Sequence, residues 1–118
     1  MRLCHEFTFD AAHYLPGYKG KCALPHGHTY KLEIVVEGNI KSDGMVVDFS
    51  TIKRVVEHEV LQHLDHRQLN DMIPHPTVEN IVKWIEEHLQ GKLPVSSIKL
   101  WEGPGKWVEI TVAKNHKK

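Results

Sequence analysis

The chain has 118 residues, with 15 basic side chains set against 15 acidic ones. That length is expected to form a single domain, 1–118, with a core of its own, and the balanced charge argues against direct contact with DNA or RNA. No apolar run approaches the length of a membrane span, and the opening Met1-Arg2-Leu3-Cys4-His5-Glu6 lacks the apolar core of a signal peptide, so a cytoplasmic location with reduced thiols at Cys4 and Cys22 is expected.

The first segment alternates. Leu3, His5, Phe7, Phe9, Ala11 and His13 fall on one largely apolar face, against Cys4, Glu6, Thr8, Asp10 and Ala12 on the other, which is the pattern of a half-buried strand. A connection from Tyr14 to Pro25 follows; it is long for a hairpin, and long ordered loops often carry function. From His26 a second strand begins, with His28, Tyr30, Leu32, Ile34 and Val36 sharing its apolar face. Asp43-Gly44 marks a turn, and Met45-Val46-Val47 reads as a short return strand before Asp48.

Two helices come next. Phe49, Ile52, Val55, Val56, Val60 and Leu64 recur at helical spacing, with Asp48 or Ser50 as the cap. Leu64 to Asp71 is polar and turn-like. Thr77 then caps a second helix with Glu79 in its first turn, a buried stripe of Val78, Ile81, Val82, Ile85 and Leu89, and Gly91 as its stop. Ser97 to Glu102 and Trp107 to Val112 alternate as two further strands around Gly103-Pro104-Gly105, and Lys114 to Lys118 read as a solvated tail. Two strands, two helices and two strands predict an α+β fold, a four-stranded antiparallel sheet with both helices on one face. The opposite face, with Glu6, Thr8, Trp101, Trp107 and Glu109, is too mixed to be a second core.

The chemistry concentrates in Cys22-Ala23-Leu24-Pro25-His26-Gly27-His28. On a strand, His26 and His28 point to the same face. If the first two strands pair antiparallel, the end of one lies beside the start of the other, so His13 joins them. Three imidazoles leave a tetrahedral metal one open position, the arrangement of catalytic zinc, and only Cys22 stands ready to close it. His5, His58, His63, His75, His88 and His116 read as surface, turn or tail residues instead. Cys22 beside imidazole or metal would be an acidified thiol able to move protons. Asp65-His66 follows the first helix, where a proton relay and a plain helix terminus both fit the local sequence. Glu102 has the parity of the apolar Ile98 and Leu100. It either meets a ligand such as the N–H edge of an amino-pyrimidinone or sits in solvent where the strand ends early, and the pattern leaves both open.

Taken in order, Phe9-Asp10-Ala11-Ala12-His13, Cys22 to His28, Gly44-Met45-Val46-Val47-Asp48-Phe49, Leu64-Asp65-His66, Pro76-Thr77-Val78-Glu79-Asn80 and Glu102 resemble the 6-pyruvoyltetrahydropterin and 6-carboxytetrahydropterin synthase family over nearly the whole chain. The resemblance implies the tunnelling fold, in which subunits share sheets in a ring-shaped trimer, two rings stack into a hexamer, and active sites lie between subunits. It implies zinc on His13, His26 and His28, proton transfer by Cys22 with Asp65 and His66, and a pterin ring anchored by Glu102, with Thr77 and Glu79 in the pocket.

The substrate implied is 7,8-dihydroneopterin triphosphate. Three residues between Cys22 and His26 resemble the carboxy branch, as does Val78 where the pyruvoyl branch commonly has Thr. The expectation is a zinc-dependent 6-carboxytetrahydropterin synthase serving 7-deazaguanine synthesis. The alternatives are a 6-pyruvoyltetrahydropterin synthase or related dihydroneopterin side-chain lyase, and, from another class, a non-catalytic zinc- or pterin-binding ring, which would have no use for Cys22.

Overall fold

A computed structural model describes residues 1–112. The expected tail residues, with His116 among them, lie outside the described residues.

Strands β1 (Arg2–His13) and β2 (His26–Glu37) form a long antiparallel pair. The opposed residues include Phe9 with Tyr30, Ala11 with His28, and His13 with His26. The core fixes that register. Tyr30, Leu32, Ile34 and Val36 are fully buried along one face of β2, and a one-residue slip would turn all four outward at a cost of roughly 1.5–3 kcal/mol for each aliphatic side chain. The same alternation that buries these residues places His26 and His28 beside His13.

β4 (Val95–Glu102) pairs antiparallel with the other side of β2, and β5 (Trp107–Thr111) closes that edge. The sheet has five strands rather than the expected four, in the order β3-β1-β2-β4-β5. The added strand, β3 (Arg67–Gln68), runs parallel to β1 through Ala11 and Ala12. It comes from the polar segment after the first helix, where two residues carry no periodicity to read. The Met45-Val46-Val47 return strand does not form. Asp43 Oδ1 accepts the Met45 N–H at 3.0 Å and the Met45 carbonyl accepts the Lys41 N–H at 2.9 Å, so the segment closes on itself as a loop with Val46 buried.

α1 (Phe49–Val56) starts at Asp48, whose carboxylate accepts the Ser50 N–H at 2.8 Å. The helix widens into a π-helical turn (Glu57–Leu61) and ends in the short α2 (Gln62–Leu64). The sequence gives a reason: Ile52, Val56, Val60 and Leu64 are all buried, and a spacing of four runs ahead of a helix with about 3.6 residues per turn. The wider turn brings Val60 and Leu64 back to the core face. α3 (Val78–Leu89) is capped by the Thr77 hydroxyl, which accepts the Asn80 N–H at 3.1 Å, and the chain leaves it through Gly91 at φ 77°. Ile81, Val82, Ile85 and Leu89 meet Leu100 and Ile98 in the core. Both helices pack on one sheet face as expected, and no helix among the described residues is long and apolar enough to cross a membrane.

Candidate metal centre

At the end of the β1–β2 pair the core face changes from aliphatic to imidazole. His13, His26 and His28 each present a ring nitrogen within 4.8 Å of the others, with ring centroids 4.6–5.1 Å apart. His13 is buried and the other two are half-buried.

The surroundings set which nitrogen is free. His13 Nδ1 lies 2.7 Å from the Pro76 carbonyl, and His26 Nδ1 lies 2.7 Å from the Leu24 carbonyl. A carbonyl only accepts, so each Nδ1 carries the proton and each Nε2 keeps its lone pair. Backbone acceptors behind the rings are the usual means of orienting metal-binding histidines. His13 Nε2 is buried without a hydrogen-bond partner, a cost that a cation would remove. Burial pushes the His28 imidazole below its ordinary pKa; Glu102 opposes this, and His13, His26 and Lys106 reinforce it. The ring is therefore neutral near pH 7, the form that binds metal. The three residues fit a divalent metal that accepts nitrogen ligands.

Glu102 ends β4 opposite Tyr30, with its Oε2 3.5 Å from His13 Nε2 and 3.8 Å from His28 Nε2. The strand therefore runs through Glu102, and its side chain turns toward the imidazoles rather than into solvent. Tyr30 forms the floor, stacked on Phe9 at 5.0 Å and edge-on to His28 at 5.7 Å. Burial, with Glu102 acting in the same direction, raises its phenol far above the ordinary value.

Asp65 and His66 lie elsewhere. Asp65 Oδ1 accepts the Asp10 N–H at 3.0 Å and contacts His66 Nδ1 at 3.0 Å, so the two adjacent side chains do converge. His66 reaches that position with φ 59°, the left-handed region that costs a non-glycine residue roughly 1–2 kcal/mol. Its N–H donates to the Asp10 carbonyl at 2.6 Å, which holds the turn. Asp10, with its own carboxylate 2.5 Å from the Thr29 hydroxyl, completes a second, more exposed cluster. An open groove of about 600 Å³ runs past Asp10, Gly27, Thr29, His66 and Arg67.

Cys22 occupies a 3-10 turn, Lys21–Ala23, in the long loop, half-buried and free. Among the described residues its thiol joins neither cluster, and no hydrogen bond or ion pair links it to Asp65 or His66. It does not close the metal site, which is left with three imidazoles. Thr77 spends its hydroxyl on the helix cap, and Glu79 is exposed in the first turn of α3. His5 stacks on Phe7 and His88 on Trp84, away from the centre.

Several participants gave no sequence signal. The Pro76 and Leu24 carbonyls are backbone groups that any residue would supply. Asn70 clamps the loop to the segment after α2, accepting the Tyr14 N–H and donating to the Tyr14 carbonyl, both at 3.0 Å. Asp10 read as an ordinary solvent-side residue of β1.

An α+β fold with three imidazoles gathered at the strand ends is the frame of a metal-binding protein, and comparison with known proteins gives the family. The family model for 6-pyruvoyl tetrahydropterin synthase matches residues 2–113. A protein of Archaeoglobus fulgidus, provisionally named 6-carboxy-5,6,7,8-tetrahydropterin synthase, is 44% identical over 87% of this chain and 89% of its own length. A dihydroneopterin monophosphate aldolase of Pyrococcus furiosus is 42% identical over 92% of this chain and 96% of its own. The 6-pyruvoyl tetrahydropterin synthase of Caenorhabditis elegans shares the fold, with a TM-score of 0.86 at 24% identity and 96% of each chain covered. The chain belongs to the 6-pyruvoyl tetrahydropterin synthase family and is a lyase.

Proposed function

We propose that this chain is a zinc-dependent 6-carboxy-5,6,7,8-tetrahydropterin synthase, converting 7,8-dihydroneopterin triphosphate to 6-carboxytetrahydropterin, acetaldehyde and triphosphate in the cytoplasm, on the route to 7-deazaguanine bases. The observation that carries the reading is the set of three imidazoles whose ring nitrogens lie within 4.8 Å of one another, with the Glu102 carboxylate beside them. Zinc held by His13, His26 and His28 would polarise the side-chain hydroxyls of the pterin and acidify the neighbouring protons.

The chain's own residues divide the remaining work. Glu102 accepts two adjacent N–H groups of the pterin ring, a geometry a carboxylate matches with both oxygens. Thr77 and Glu79, at the start of α3, line the pocket. Cys22, as thiolate, removes a proton from the side chain, and His66, oriented by Asp65, exchanges that proton with solvent. Loss of triphosphate follows by elimination, and hydrolytic cleavage of the C1′–C2′ bond consumes one water, whose oxygen completes the carboxyl on the ring while the two-carbon fragment takes up a proton and leaves as acetaldehyde.

Because the Asp65–His66 pair is built on the open side and makes no contact with Cys22 of the same chain, we place the proton-transfer group between subunits of a trimer stacked into a hexamer. The outer edge of β5, and the length of β1 beyond the two residues that β3 covers, support that assembly, since among the described residues no strand pairs with them and unpaired strand edges favour pairing with another copy.

A second reading rests on the identity to the Pyrococcus furiosus aldolase, a related dihydroneopterin side-chain lyase. Mass spectrometry of the products separates the two. Incubation with 7,8-dihydroneopterin triphosphate yields 6-carboxytetrahydropterin and acetaldehyde in equal amounts under the first reading. A pyruvoyl pterin without acetaldehyde, or turnover of the monophosphate alone, overturns it.

A further inference from the structure

Among the described residues, two buried side-chain polar atoms have no hydrogen-bond partner: His13 Nε2 and the Tyr30 hydroxyl. A metal on the three imidazoles accounts for the first and not for the second. An unpaired buried hydroxyl costs roughly 1–3 kcal/mol, and Phe would avoid that cost in the same space, so the oxygen calls for a partner. Tyr30 is fully buried, held by Phe9 stacked at 5.0 Å with an interplanar angle of 9°. The ring cannot turn its oxygen to solvent.

The matching acceptor is on the residue directly opposite. Tyr30 pairs with Glu102 across β2 and β4, and the Glu102 carboxylate accepts no hydrogen bond from another described side chain. Among the described residues its close side-chain polar contacts are His13 Nε2 and His28 Nε2. With His13 Nδ1 protonated against Pro76, the facing Nε2 is a lone pair, so that contact sets two acceptors against each other unless the ring gains a proton. A metal takes the lone pair, and the carboxylate is left to find donors elsewhere. One donor is the substrate; the other, directly across the strand pair, is Tyr30.

We infer that the Tyr30 hydroxyl donates to the Glu102 carboxylate, directly or through one bridging water, when the imidazoles hold metal. Tyr30 is thereby a positioning residue for pterin recognition. The inference rests on the reading of Glu102 as the pterin anchor. It assigns one lone pair of the carboxylate to the protein and leaves the rest facing the ring, which fixes the orientation in which the pterin is accepted.

The test is titration of the zinc-loaded protein with 7,8-dihydroneopterin, for the unaltered chain, Tyr30→Phe, Glu102→Gln and the double variant. Tyr30→Phe keeps the stacked ring, so the fold and one zinc per chain are retained while affinity falls about tenfold, the scale of one hydrogen bond to a charged group. Glu102→Gln weakens binding at least as much, and adding Tyr30→Phe to it changes affinity less than about twofold, since the two-oxygen carboxylate that Tyr30 orients toward the ring is already gone. Wild-type affinity in Tyr30→Phe with weakened binding in Glu102→Gln overturns this inference and leaves the anchor standing. Additive losses, or loss of zinc in Tyr30→Phe, overturn it as well. Unchanged affinity in Glu102→Gln overturns the anchor and this inference with it. The Tyr30 hydroxyl proton gives an independent reading by NMR: it is protected from exchange in the zinc-loaded protein and shifts in Glu102→Gln, whereas rapid exchange contradicts the bond.

Discussion

The two histidine clusters of this chain are built in opposite ways. His13, His26 and His28 stand on paired strands, on the core face, with ring nitrogens tied to the Pro76 and Leu24 carbonyls. Asp65 and His66 stand on a turn, exposed, with His66 in a left-handed conformation held by Asp10. The first cluster comes together within one chain because the register that buries the core also gathers its three imidazoles. The second is shaped within one chain, with Asp10 behind it, and among the described residues no thiol joins it. A metal centre gains from rigidity, since its ligands must converge before the ion arrives. A proton-transfer pair needs access to solvent and to a substrate, and a surface turn beside a groove supplies both.

That contrast can be broken most sharply at the rigid cluster. His28→Ala is expected to remove both bound zinc and measurable turnover while leaving the melting transition cooperative, because the half-buried ring makes little of the core. Metal analysis of the purified variant decides this, and full zinc occupancy would dissolve the cluster as a site. Cys22→Ala is expected to keep zinc and lower kcat at least about a hundredfold, the usual scale for losing a general base. Turnover within a factor of a few of the unaltered protein would make the thiol a bystander.

The shared nature of the second cluster is tested by mixing. Cys22→Ala and His66→Ala chains, each inactive alone, are expected to recover part of the activity when unfolded together and refolded, because some interfaces then carry an intact thiol and an intact Asp65–His66 pair. No recovery would place both groups in one chain's site.

The smallest effect comes from Asp48, remote from both clusters. Its carboxyl is held below the ordinary pKa, chiefly by the Ser50 N–H and then by the Ser50 hydroxyl. A depressed folded pKa means that the cap stabilises fully above the unfolded value of about 4 and is lost as pH falls through the lower folded value. Asp48→Ala is therefore expected to melt a few degrees lower at neutral pH, with the gap to the unaltered protein closing below about pH 4 and zinc content unchanged. A gap that persists in acid would contradict the cap.

How much of this was legible in the sequence follows the same division. Strict alternation through Phe9, Ala11 and His13 and through His28, Tyr30 and Leu32 gave the strands, their register and the meeting of the three imidazoles, because one buried face leaves one register. Caps at Asp48 and Thr77 were readable from residue type. Glu102's inward position was half-readable: parity pointed in, but the strand's end could not be located. β3 was hidden because two residues have no period, and the π-helical turn because the spacing of its apolar residues still reads as helix. The Asp65–His66 convergence needed the positive φ of His66, which no residue type at that position announces.

The central claim is that the metal rests on three imidazoles while Cys22 stays free to move protons. X-ray absorption at the zinc edge of the purified protein tests it directly. The expected spectrum shows three imidazole nitrogens at about 2.0–2.1 Å, light atoms only, and no sulfur. A sulfur scatterer at about 2.3 Å would put Cys22 on the metal, close the site, and contradict both the open centre and the role of the thiol.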